Sequence, residues 1–205
     1  ECRGRGCQRC EGTGRMYPES VDELIRPAVM QAAQAEDTVF HGAGREDIDA
    51  RMLGSGRPFI VEAVRPRIRK IDLALLEQEI CRQAEGKVEV TGLSWADSAM
   101  VERLKEAAFE KTYSAWVRLG GEVAEEKLKS VLKELEGPID QRTPTRVSHR
   151  RADKVRVRRV HGANLLEVTG NFARINIRGD SGLYIKELIS GDGGRTRPNL
   201  AEILK

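Results

Sequence analysis

Three strand-like runs crowd the C-terminal third of the chain, Val155 to Val160, Leu165 to Val168 and Phe172 to Ile177. The stretches between them are too short for crossover helices, so neighbouring runs must turn back as β-hairpins. Upstream the apolar pattern changes period. Ser20 and Glu23 form a capping box ahead of Val21, Leu24, Ile25, Val29 and Ala32 at helical spacing. Leu73 to Ala84, Asp97 to Phe109 and Glu125 to Leu135 read as further helices, the last stopped by Gly137-Pro138. Strands are expected at Val39–Phe40, over Phe59, Val61, Ala63 and Ile68 as one long half-exposed run, at Val88, Val90 and Leu93, and over Lys111 to Leu119. A final helix starts near Leu183. Helices and strands in this order predict an α+β fold with a central mixed, largely antiparallel sheet flanked by helices.

The 205 residues are 40% hydrophobic, enough for a core, and no run approaches the roughly 18 apolar residues a membrane span needs. No secretory signal is visible. A membrane protein and a disordered chain are both excluded, and a cytoplasmic location is expected. The net charge of +3 conceals a division: residues 137–205 hold 14 Lys and Arg against 7 Asp and Glu, whereas residues 1–136 hold 21 against 25. Basic charge gathered at one end favours a polyanionic partner, most commonly a nucleic acid. The alternative is a solvated basic surface.

Cys2, Cys7 and Cys10 crowd the Gly-rich start, residues 1–14, while Cys81 stands alone in a helical pattern. A segment with so little apolar content cannot fold by burial and needs a metal to hold it. Closely spaced thiolates suit a structural zinc, and the pattern resembles the zinc modules of DnaJ-type chaperones. Three ligands leave the tetrahedron one short, so the fourth lies upstream of Glu1 or the site is degenerate. An unmetallated tail is the other reading. The opening at Glu1, inside this cluster, reads as a chain whose upstream part is missing.

The segment His41-Gly42-Ala43-Gly44-Arg45-Glu46-Asp47-Ile48-Asp49-Ala50-Arg51 carries the most chemical information. Glycines after a strand let backbone approach a ligand closely. The Lys-Ser/Thr ending of a phosphate-binding P-loop is missing, which sets nucleotide hydrolysis aside. What remains is a carboxylate beside arginine on a turn, and by spacing alone a surface ion pair explains it as well. Ser94, Ser114 and Ser190 have no partnered base, and no nicotinamide or flavin fingerprint appears.

Gly44-Arg45-Glu46-Asp47 resembles the Gly-Arg-x-Asp motif of pseudouridine synthases. Lys111-Thr112-Tyr113-Ser114-Ala115 is similar to the family's Lys-x-Tyr-x-Ala motif. The run Leu183 to Gly194 is similar to its Tyr-Ile-Arg/Lys-x-Leu-x-x-Asp-x-Gly motif. Three motifs in the family's order are far more specific than one. The match is closest to the archaeal and eukaryotic tRNA pseudouridine synthases acting on uridines 54 and 55 of the TΨC arm, whose hallmarks are Phe40 to Phe59, Gln141 to Asp153 and Ile185 to Leu200. The resemblance implies the pseudouridine-synthase catalytic fold over residues 15–205. It also implies an accessory RNA-binding domain ahead of this one and a last strand beyond Lys205, both missing from the sequence.

The same resemblance implies the roles. Asp47 is the catalytic aspartate, Lys186 its basic partner, Tyr113 the ring that stacks on uracil, and Ile185 an apolar wall of the pocket. A carboxylate in this role must stay ionised, which a nearby cation favours. Arg45 supports the flipped nucleotide, and Arg51 and Arg57 contact phosphate beside the same loop. In the basic run from Gln141 to His161, Arg142, Arg146, His149, Arg150 and Arg151 are the candidate RNA contacts, and Arg156 and Arg158 line one face of a strand. The partner implied is tRNA, with no membrane and no cofactor needed for catalysis. The competing reading is a non-catalytic RNA-binding or zinc-scaffold protein that keeps the basic face.

Overall fold

The structure, a computed structural model, describes residues 5–14, 17, 19–44, 49–149 and 151–205. In its N-terminal half, the Ser20 hydroxyl accepts the Glu23 amide at 3.3 Å and opens α1 (Val21–Ala33). The Asp72 carboxylate does the same for α2 (Leu73–Gln83), accepting the Ala74 and Leu75 amides. Both helices are amphipathic, and Ile25, Ala28 and Val29 of α1 meet Leu76 and Ile80 of α2 in one core with Val90. β1 (Asp37–Gly42) and β2 (Phe59–Val64) pair antiparallel beside them, Phe40 stacking on Phe59 with ring centroids 5.5 Å apart. Asp97 caps α3 (Ser98–Glu106), which buries none of its residues.

Two expectations for this half are corrected. β2 does not continue to Ile68: Arg65 turns at φ 48 ahead of Pro66, and the Arg67 and Ile68 amides donate to the Ala33 carbonyl at 3.1 and 2.9 Å. Residues 88–93 form no strand. Two of their amides are taken up by α2 side chains instead, Val90 by the Cys81 sulfur at 3.3 Å and Leu93 by the Glu77 carboxylate at 3.0 Å. An apolar alternating run thus lies along a helix with no strand to pair with.

The residues Ala108–Lys205 form a second compact unit, distinct from Cys2–Ala107. It contains β3 (Lys111–Arg118), α4 (Glu125–Glu134), β4 (Gly137–Arg142), β5 (Val155–Thr169), β6 (Phe172–Gly179), α5 (Ile185–Ser190), β7 (Thr196–Arg197) and α6 (Leu200–Ile203). The strands make one sheet in the order β3-β6-β5-β4-β7, every neighbour antiparallel. The two runs expected at 155–160 and 165–168 are one long strand with register shifts between Val160 and Gly162 and between Leu165 and Glu167.

β4 is an addition the sequence did not announce, because only Ile139 among its inward residues is a large apolar side chain. Gly137-Pro138, expected to act only as a helix stop, in fact begins this strand.

One face of the sheet carries the core. Ile139, Val160, Ile175 and Ile177 project from the strands onto Leu128, Leu132 and Leu135 of the α4 region, Leu188 of α5 and Leu200 of α6. Alternation along β3 puts Tyr113, Ala115 and Val117 on this helix-bearing face, and Thr112, Ser114, Trp116 and Arg118 on the opposite one. Arg156 and Arg158 share one face, as expected of that strand. It is the inward face, while Val155 and Val157 point outward and are exposed. Leu132 is wholly buried at the centre of the core. Leu132→Ala is expected to lower unfolding stability by about 2–5 kcal/mol in chemical denaturation.

Candidate functional site

α5 is six residues long, too short to be stable by its own hydrogen bonds, so its position depends on what grips it. The grip comes from β4. The Gln141 side chain is buried and reads the Tyr184 backbone at the helix entrance from both sides: its carbonyl oxygen accepts the Tyr184 amide at 2.8 Å, and its Nε2 donates to the Tyr184 carbonyl at 3.0 Å. The second anchor is ionic. Glu187 is only 4% exposed and its carboxylate accepts Arg146 Nε at 2.7 Å, while the Arg146 guanidinium lies 5.9 Å above the Tyr184 ring. Burying a carboxylate is costly unless it is paired, so this contact fixes the turn around Arg146 as firmly as it fixes the helix.

The exit of α5 is equally constrained. Gly191 has φ 79, and a Cβ there would stand 2.8 Å from the Asn199 side chain, so both conformation and space require glycine. The Asp192 carboxylate accepts the Thr145 amide at 2.8 Å, and Arg195 donates to the Thr143 carbonyl at 2.7 Å. Asp153 accepts from both Arg142 and Arg195. Chiefly through the Arg142 hydrogen bond, and against a smaller effect of burial, the Asp153 carboxyl is held below its usual range. With a depressed folded value, this tie contributes above the ordinary carboxylate range and is lost as pH falls through the lowered one. The segments 141–154 and 184–200 are therefore knitted into one polar framework.

That framework displays two of the expected catalytic side chains. Lys186 is exposed on α5, and Ile185 packs partly into the core on the same helix. Tyr113, half-buried, stands on the helix-bearing face of the sheet, opposite Ile177 in register. Arg142 and Arg146 are engaged by Asp153 and Glu187, whereas His149 and Arg151 are exposed. Arg150 lies outside the described residues.

The separate compact unit Cys2–Ala107 holds the loop between β1 and β2. Its ends are tied where the Ala43 amide donates to the Pro58 carbonyl at 3.1 Å, and the strands pair up to Gly42 and Phe59. Arg51 is exposed on this loop and Arg57 half-buried near its return. Asp47 and Arg45 fall on the same connection but outside the described residues.

The cysteine pair has a definite geometry. Cys7 Sγ and Cys10 Sγ are 3.7 Å apart, and the Cys10 sulfur accepts the amides of Cys7 at 3.1 Å and Gly14 at 3.2 Å. Two thiolates about 2.3 Å from one tetrahedral zinc would be separated by about 3.8 Å. The pair therefore fits two zinc positions, although among the described residues no third ligand joins it. Cys2 lies outside those residues.

Sequence reasoning missed the anchors rather than the displayed groups. Gln141, Glu187, Asp153 and Arg195 lie inside segments already singled out, yet their intramolecular pairing has no local signature. The one available sign was Gln141 itself, a polar residue at an inward position of an alternating strand, after Gly137 and Ile139. Gln141→Leu would keep the volume but orphan the Tyr184 amide. The expected loss is about 1–3 kcal/mol of stability, measured by chemical denaturation.

The family described as "Pus10, C-terminal" matches residues 7–205. A protein named tRNA pseudouridine synthase Pus10 from Methanothrix thermoacetophila is 66% identical over 100% of this chain and 45% of its own length. Proteins of the same name from Methanopyrus kandleri and Archaeoglobus fulgidus are 53% and 49% identical, over 48% and 56% of their lengths. The chain thus spans about half the length of these relatives. A chain in the crystal structure of a Cbf5-Nop10-Gar1 complex has the same fold at 21% identity, with TM-score 0.51 over 83% of this chain and 39% of that one. The α+β fold is the pseudouridine-synthase catalytic fold that the motifs implied, and the chain belongs to the Pus10 C-terminal family.

Proposed function

We propose that this chain is the catalytic part of a cytoplasmic tRNA pseudouridine synthase, isomerising uridine at position 54, position 55 or both in the TΨC arm. The observation that carries the reading is the ordered set of three motif segments in a chain matched over residues 7–205 by the Pus10 C-terminal family. The reaction breaks the bond between ribose C1′ and uracil N1, turns the base and joins C1′ to C5. The proton lost from C5 balances the one gained at N1. Substrate and product have the same composition, so no oxidant and no group donor is called for.

Asp47 acts as the nucleophile on the nucleotide, with Lys186 as its cationic partner. The anchoring of α5 by Gln141 and Glu187 supports a fixed location for Lys186 and for Ile185 as an apolar wall of the uracil pocket. Preorganised charge of this kind costs no rearrangement during the reaction. Tyr113 stacks on the uracil, which has to leave its place in the folded arm to be reached. Arg45 supports the flipped nucleotide, and Arg51, Arg57, His149, Arg150 and Arg151 contact phosphates. Arg142 and Arg146 face RNA as well, but their carboxylate partners give them the further task of shaping the surface.

The test is a pseudouridine assay on unmodified tRNA transcript, comparing the intact protein with its Asp47→Ala variant. Product in the TΨC arm from the wild type alone, with RNA affinity largely kept in the variant, is the expected result. A variant indistinguishable from wild type, or tight binding without product from either, would transfer the case to a non-catalytic RNA-binding protein.

A structural zinc at Cys7 and Cys10, with Cys2 as a third ligand, belongs to the same proposal. It would tie down a segment that has almost no apolar residues of its own. Metal analysis of the intact protein should return about one zinc per chain. Cys10→Ser should lose that metal and expose residues 5–14 to proteolysis, and a metal-free wild type would remove the site.

A further inference from the structure

The face of the C-terminal sheet turned away from the helices carries aromatic side chains that the core does not use. Strand register sets them in rows. Arg118 of β3 stands opposite Phe172 of β6, and in the next row Trp116 stands opposite Arg174; Ser114 and Asn176 follow in the third. Trp116 and Phe172 are therefore diagonal neighbours on adjacent strands, a spacing that long aromatic side chains bridge. Trp116 is 56% exposed and Phe172 47% exposed. Both tryptophans of the chain are exposed, and of the two Trp116 lies on a β-strand rather than on a loop.

The charges of this patch have one dominant sign. Arg118 and Arg174 have no carboxylate partner among the described residues, and Arg174 Nε donates only to the Ser114 hydroxyl at 3.2 Å. Glu167, across β6 on β5, is the one carboxylate in these rows. Two exposed aromatic side chains beside two guanidiniums, with a single carboxylate opposite Arg174, match a chain of unpaired bases on a phosphate backbone, since bases stack on the rings and phosphates meet the arginines. A protein surface of ordinary composition offers no such excess of negative charge.

We infer that the outer face of this sheet, around Trp116 and Phe172, binds an unpaired stretch of RNA by stacking, at a place separate from the helix-bearing face that displays Tyr113 and Lys186. The inference rests on the RNA-modifying reading above and adds to it a second point of attachment.

Tryptophan emission reports the contact directly. In the intact protein carrying Trp95→Phe, Trp116 is the remaining tryptophan of this chain, and titration with unmodified tRNA transcript or with oligouridylate should quench its emission. Trp116→Ala should weaken binding of the same RNA by about 5- to 150-fold, the range for losing one stacked base. Trp116→Phe should restore most of the affinity, which a purely folding-related loss would not explain.

Unmoved emission on an RNA-saturated protein, or unchanged affinity in both Trp116→Ala and Phe172→Ala, overturns the inference and assigns the face to a protein surface. In that case Asp47-dependent isomerisation of uridine would still leave the enzymatic reading standing. Absence of any RNA binding by the wild type would remove both.

Discussion

The two-sided hold of Gln141 on the Tyr184 backbone is the contact on which the arrangement of the C-terminal unit turns. A six-residue helix has no independent existence, and its apolar contacts through Leu188 fix depth but not direction. The amide of Gln141 supplies direction, because it recognises one donor and one acceptor of a single residue at the helix entrance. The Arg146–Glu187 pair then sets rotation about the helix axis. Removing either would leave a buried polar group without its partner, which makes the framework cooperative rather than a sum of separate ties.

This accounts for two of the motif-bearing runs being long segments rather than isolated positions. Residues 141–154 provide the receiving surface, and residues 184–200 provide the element received. Thr143, wholly buried, illustrates how dense the matching is. Its hydroxyl donates to the Ala152 carbonyl and accepts from the Lys154 amide and Arg156, while its carbonyl accepts from Arg195. A substitution in one segment acts through the other, so displayed groups such as Lys186 depend on residues more than forty positions away in sequence.

How much of this could be read in advance divides along physical lines. Helices α1, α2 and α4 and strands β3 and β6 were legible because burial imposes a period on their sequences. β4 was not, because polar and glycine residues occupy most of its inward positions, and residues 88–93 misled because a helix, not a strand, takes up two of their amides. The displayed catalytic candidates were legible through their motifs. Their supports were not, since a hydrogen bond between Gln141 and Tyr184 or between Thr145 and Asp192 joins residues of ordinary type across distances no local pattern spans. Arg142 and Arg146 show the same boundary: their charge was evident, their carboxylate partners only in the folded chain.

The inward arginines of β5 have a consequence for how this hairpin acquires its alignment. Sliding β5 by one residue against β4 would turn Val155 and Val157 toward the core and release Arg156 and Arg158 to water. The same slip would expel Val160 from the core and turn Arg159 inward, so burial does not separate the two arrangements cleanly and apolar patterning selects the native pairing only weakly. Polar contacts add to the selection: the Arg142 amide donates to the Arg195 carbonyl at 2.8 Å, and Arg156 reaches the Thr143 hydroxyl, just past β4, at 3.0 Å. Polar contacts of this corner thus help to hold a pairing that apolar burial alone selects weakly, and residues 191–200 contribute to it by bonding β4.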